Sequence, residues 1–180
     1  MIRMGEAEEI SSKQKQISIS EFFEKNKHFL GFDTLQRSII TAVKESVDNS
    51  LDACEEARIL PEINVEIKRM KGDRLRLITQ DNGPGIPRED IENVFGKFLL
   101  GSRFHAIRQT RGQQGIGITG VVMYSQLTTG SKTKVTSITE REEHGLASVT
   151  EIALDTRRNK AIPTTLDRAV LENYEGERVK

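Results

Sequence analysis

The chain has 180 residues, 36% hydrophobic and 30% charged, with 27 Lys+Arg balanced by 27 Asp+Glu. That length fits one domain with its own core, and zero net charge excludes a surface that binds polyanions as a whole. A single cysteine excludes an internal disulfide and a cysteine zinc cage. No apolar run reaches membrane-spanning length and the start, MIRMGEAEEI, has no secretory core, so a cytoplasmic protein without membrane contact is expected.

In chain order, residues 1–16 are polar, charged and aperiodic, and read as a mobile N-terminal arm. Residues 17–180 read as one domain. Phe22, Phe23, Phe29 and Leu30 recur at helical spacing and predict a short helix ended by Gly31. The next stretch, LQRSIITAVKESVDNSLDACEEA over 35–57, is the strongest signal in the chain. At about 100° per residue, Leu35, Ile39, Ile40, Val43, Val47, Leu51 and Cys54 gather on one side of a helix. Glu45, Asn49 and Asp52 fall opposite, with Asp48 beside them. Asp33 is placed to cap this helix and Pro61 to stop it.

Ile63, Val65 and Ile67 alternate with polar residues as a half-buried strand. Lys71-Gly72-Asp73 makes a turn, and Leu75, Leu77 and Thr79 form the second strand of a hairpin. Asp81-Asn82-Gly83-Pro84-Gly85-Ile86-Pro87 is a non-repetitive loop, and Pro87 suits the first turn of a short helix over 88–95. Residues 96–114 are irregular, carrying Lys97, Arg103, His105, Arg108 and Arg111 with no carboxylate. A small-residue helix through Val121, Val122, Tyr124 and Leu127 follows over 115–130, then strands at 132–140, 146–155 and 165–172. The closing GERVK reads as the start of another strand, expected to be truncated. This order predicts an α+β sandwich: a mixed, mostly antiparallel sheet with helices on one face.

Three stretches carry chemistry. On the long helix, Ser46, Asn49, Ser50 and Asp52 are mediocre helix formers, where a merely solvated face favours Lys, Glu, Gln and Ala. Glu45 and Asn49, one turn apart, can converge: a carboxylate that accepts a proton from water, and an amide oxygen suited to Mg²⁺. Second, Asp81 stands at a strand end, where a carboxylate can accept the exocyclic amine of an adenine while Gly83 and Gly85 admit a flat ring. Taken alone, Asp-Asn-Gly reads better as an ordinary turn. Third, in RGQQGIGITG over 111–120, glycine amides at a helix start can bind phosphate oxygens, with Arg103, Arg108 and Arg111 adding charge.

Gly115-x-Gly117-x-x-Gly120 also matches the dinucleotide fingerprint, with Glu140 about 20 residues on as its acid. The basic, broken segment HAIRQTRGQQ before it is no hydrophobic strand, so a NAD-binding unit stands as a runner-up. No Walker-type Gly-Lys-Ser/Thr occurs, and His28, His105 and His144 lack metal-ligand spacing.

In this order and spacing, ESVDNSLDA, DNGPGI and RGQQGIGITG resemble the ATP-binding domain of the gyrase, heat-shock chaperone, histidine kinase and MutL superfamily (GHKL, the Bergerat fold). Within it, residues 17–139 are most similar to B subunits of the type IIB DNA topoisomerases, topoisomerase VI. The resemblance implies a two-layer GHKL sandwich that binds ATP and Mg²⁺. It implies Glu45 as general base, Asn49 as the Mg²⁺ holder, Asp81 on the adenine amine, and Gly83 and Gly85 shaping the pocket. Ser102, Arg103, Gly112, Gln113, Gln114, Gly115, Ile116, Gly117, Ile118 and Thr119 would enclose the phosphates as an ATP lid. Residues 1–16 would be a dimerising strap. The implied partners are a second B subunit in an ATP-dependent homodimer, a DNA-cleaving A subunit and double-stranded DNA. A MutL-like ATP-gated dimerisation module is the alternative. Arg103 stands where the family tends to have lysine, and Gly176-Glu177-Arg178 replaces its usual Gly-Thr-Arg. The transducer domain, whose lysine reaches the γ-phosphate in this family, would lie beyond this sequence.

Overall fold

The computed structural model describes residues 19–96, 117–140, 146–155 and 160–170. The elements run α1 (Ile19–Leu30), α2 (Leu35–Glu56), β1 (Ile63–Arg69) and β2 (Leu75–Asp81). A 3₁₀ turn (Arg88–Asp90) leads into α3 (Ile91–Gly96), followed by α4 (Gly117–Thr129), β3 (Thr133–Ser137), β4 (Leu146–Asp155) and β5 (Lys160–Val170). The class is α+β. The predicted arm at 1–16, most of the lid and the closing GERVK lie outside the described residues.

Every strand pair among the described residues is antiparallel, and the strands form two sheets, β1-β2 and β3-β4-β5. β4 is the central strand of the larger sheet, and its Ala147, Val149, Ile152 and Leu154 are buried. The last strand starts at Lys160, five residues before the expected 165.

The core lies between α1, α3, α4 and the larger sheet. Phe23, Phe32, Ile91, Val122, Met123, Val135, Ile152 and Leu154 form one buried cluster. Phe32 packs on Phe23 at 5.4 Å and on Tyr124 at 5.0 Å between ring centres. The Gln126 amide ties α4 to β4 by accepting from Leu154 N–H at 2.6 Å and donating to its carbonyl at 2.8 Å. One buried hydroxyl on β4, Thr150 Oγ1, has no hydrogen-bond partner among the described residues.

Four local expectations are corrected. Thr34 caps α2, its Oγ1 accepting from Arg37 N–H at 3.3 Å. Asp33 is drawn away by Arg37 and His28, each 2.7 Å from its Oδ2. The end of α2 precedes Pro61 by five residues: Arg58 turns left-handed at φ 58°, and Ile59 N–H reaches back to Cys54 carbonyl at 2.8 Å, so a Schellman-type closure ends the helix. The apolar side of α2 is incompletely covered, with Ile40 and Leu35 exposed, while Ser38 and Ser50 are buried. Likewise Val65 and Ile67 of the hairpin are exposed where half-burial was expected.

The turn between the two sheets positions the site. Ile86 N–H donates to Ser137 Oγ at 2.7 Å, and that hydroxyl donates back to Ile86 carbonyl at 2.9 Å. The 81–87 loop is thus buttoned onto the end of β3. Gly85 has φ 75°, and any Cβ there would overlap the Ile138 carbonyl, so glycine is required at that contact on two counts.

Candidate functional site

Helix α2 runs the length of the site. At its middle, the Glu45 side chain is largely buried and lies against the first residue of α4: a Cβ at Gly117 would overlap Glu45 Oε2. Gly117 does not have positive φ, so close approach, not a left-handed backbone, is what calls for glycine there. Lys44 reaches Asp48 at 2.8 Å and Glu45 at 3.4 Å. The hydrogen bond to Asp48 is the main reason its ammonium is held above the ordinary lysine value, with the charge of Glu45 assisting.

One turn on, Asn49 donates from Nδ2 to the Glu45 carbonyl at 2.7 Å. Its amide oxygen enters none of the hydrogen bonds among the described residues. Mg²⁺ takes one or two protein oxygens and otherwise keeps water and phosphate oxygens. The oxygen of Asn49 fits that use, and among the described residues no group of three His, Cys, Asp or Glu offers a protein cage instead.

Five residues beyond Glu45, or about 7.5 Å along the helix axis, Ser50 meets the end of β2. Its hydroxyl donates to Asp81 Oδ2 at 2.7 Å, while Asp81 Oδ1 accepts from Gly83 N–H at 3.0 Å. Next to this contact, Thr79 Oγ1 donates to Ser46 Oγ at 3.0 Å, a second tie from β2 to α2. Asn82 staples the following turn, accepting from Glu62 N–H at 2.9 Å and donating to Leu60 carbonyl at 3.0 Å. Beneath lies buried Cys54, whose thiol is pushed up by burial and by the negative charge of Asp81. The arrangement therefore sets the Glu45 carboxylate and the Asn49 amide oxygen on one helix, with the Asp81 carboxylate held to that helix through Ser50.

Residues 34–157 match the family of histidine kinase-, DNA gyrase B- and HSP90-like ATPases, more than half of the chain. The chain belongs to this ATPase family.

Among curated relatives, this ATPase domain is 53% identical over 174 residues to the B subunit of type 2 DNA topoisomerase 6 from Natronomonas pharaonis, covering 97% of the chain and 21% of that protein. It is 61% identical over 133 residues to the B subunit of the same enzyme from Methanosarcina acetivorans, 74% of the chain and 21% of the relative. With its counterpart from Archaeoglobus fulgidus it shares 54% over 151 residues, 84% of the chain and 25% of the relative. The chain thus spans about a fifth to a quarter of the length of these relatives.

In this ATPase domain, Glu45, Asn49, Asp81, Gly83, Gly85, Gly117, Ile118 and Thr119 fall on α2, the 81–87 loop and the first turn of α4. Ser102, Arg103, Gly112, Gln113, Gln114, Gly115 and Ile116 lie outside the described residues. For the dinucleotide alternative, the described sheets supply no parallel strand pair, whereas its fingerprint belongs to a parallel βαβ unit. The contact of Ser50 with Asp81 is not legible in the sequence. Its only trace there is compositional: a poor helix former at mid-helix, one turn after Ser46, which also faces β2. No described helix is long and apolar enough to cross a membrane.

Proposed function

We propose that this domain binds Mg²⁺-ATP and hydrolyses it as the ATPase module of a type IIB DNA topoisomerase B subunit. The observation that carries the reading is the bracing of Asp81 by Gly83 of its own loop and by Ser50, on the same helix that bears Glu45 and Asn49. Asp81 would accept the adenine amine, with Gly83 and Gly85 keeping the loop backbone open to the flat ring. Asn49 would hold Mg²⁺, which supplies charge neutralisation on the phosphates when bound. Glu45 would take a proton from the attacking water, held against the start of α4 where phosphate charge is favoured. Ser102, Arg103 and residues 112–119 would enclose the phosphates.

In the complete subunit, ATP binding would join two B subunits around double-stranded DNA, and hydrolysis would release them. Cleavage would belong to a separate A subunit. The names of the relatives support this assignment.

Titration calorimetry with Mg²⁺-ATP tests the adenine assignment. Asp81→Asn replaces an acceptor-only group by a mixed donor and acceptor and should weaken binding by about 1–3 kcal/mol. Equal affinity in parent and variant would rule out adenine recognition by Asp81.

A further inference from the structure

We infer that Ser50 is a specificity-determining residue for the purine base, acting through Asp81; this rests on the adenine reading proposed above. Three serines of α2 have assigned hydroxyl bonds, and two of them turn inward. Ser38 donates to Thr34 carbonyl at 2.6 Å and Ser46 to Ala42 carbonyl at 2.8 Å, each back-bonding four residues up its own chain. Ser50 does not. Its hydroxyl crosses to another element, at 2.7 Å from Asp81 Oδ2, and the residue is only 6% exposed.

The consequence follows from proton bookkeeping. A carboxylate accepts only, with about four lone-pair positions on two oxygens. Gly83 N–H occupies one position on Oδ1 and Ser50 one on Oδ2, which fixes the carboxyl plane and leaves acceptor positions toward a ligand. Ser50 has one proton and Asp81 holds it. A base edge presenting an amine therefore finds an acceptor, whereas one presenting a carbonyl faces carboxylate oxygen with no proton to share. Replacing Ser50 by alanine frees Oδ2 to take up water or rotate, which weakens the preference for the amine without touching the phosphate end of α2.

The experiment measures binding of ATP and of inosine triphosphate, which carries a 6-oxo group and an N1–H in place of the 6-amino group and the bare N1. Calorimetry with Mg²⁺ is run on the 180-residue chain and on Ser50→Ala, Ser50→Thr and Asp81→Asn. Ser50→Ala should lose about tenfold in ATP affinity while inosine triphosphate stays within about twofold, so the preference narrows about tenfold. Ser50→Thr, which keeps the hydroxyl, should restore the preference. An unchanged ratio in Ser50→Ala, or equal loss of both nucleotides, would overturn the inference. The underlying reading fails separately: there, Asp81→Asn would leave the ratio of the parent unchanged. A ratio abolished by Asp81→Asn and retained by Ser50→Ala would refute the role of Ser50 alone.

Discussion

Substituting Gly117 by alanine should separate folding from turnover. Helical Gly→Ala changes favour folding by about 0.5–1 kcal/mol, and Gly117 does not have positive φ that would oppose alanine. Against this, the new methyl would overlap Glu45 Oε2 and stand 2.8 Å from Glu45 Cδ. The obstructing atoms are the far end of a flexible side chain, so they yield at about 0.5–1.5 kcal/mol of rotamer cost. The two effects nearly cancel, and the melting temperature should stay within a few degrees, since about 1 kcal/mol corresponds to roughly 2–8 °C in domains of this size. The carboxylate, however, must retreat by about 1 Å or more to restore ordinary contact, and a displacement of that size at a reacting group costs about 10²-fold in rate. In the complete subunit proposed above, steady-state ATP hydrolysis of Gly117→Ala should therefore fall about 10²-fold with ATP affinity changed only a few-fold. Parent-like turnover would show that Glu45 does no work at the position it occupies. A collapse in melting temperature would show instead that Gly117 is needed for packing.

Glu45→Gln in the complete subunit proposed above should leave ATP affinity within a few-fold and cut hydrolysis by about 10²–10⁴-fold, the range of a general base; a parent-like rate would leave Glu45 without a catalytic role. Asn49→Ala should differ by weakening Mg²⁺-dependent binding as well, so an ATP affinity that responds to Mg²⁺ as the parent does would count against the metal role. Thr150→Val removes a buried hydroxyl without a partner among the described residues, and should stabilise the fold by about 1 kcal/mol or more in denaturant melts; destabilisation would mean the hydroxyl is satisfied. Asp33 is held below its ordinary 3.8, first by the His28 hydrogen bond and further by Arg37. A depressed folded value means its stabilisation is complete above pH 3.8 and disappears as acid titrates through the lower folded value. The stability gap between parent and Asp33→Asn should thus be constant near neutrality and close only in strong acid; a gap that closes between about pH 5 and 7, the histidine range, would contradict it.

Much of the order of elements was legible because it depends on neighbours in sequence. The spacing of Val43, Val47 and Leu51 within 35–57 needs no distant partner to specify a helix. Nor does the Lys71-Gly72-Asp73 turn, which joins strands whose observed register pairs Arg69 with Leu75 and Ile63 with Asp81. The Asp81 loop and the glycines opening α4 were visible for the same reason, since glycine and proline act on the backbone locally.

What only the tertiary structure decided concerns partners far away in the chain. Thr34 caps α2 while Asp33 is held by Arg37 of α2 and by His28, which α1 brings alongside. Apolar spacing could not say that Ile40, Val65 and Ile67 stay exposed, because burial depends on what packs over a face and not on the face itself. Glu45 gains its meaning from Gly117 on another helix, and Ser50 from Asp81, 31 residues away. Periodicity assigns a residue to a side of its own helix; which donor meets which acceptor across elements is set only when the chain has folded.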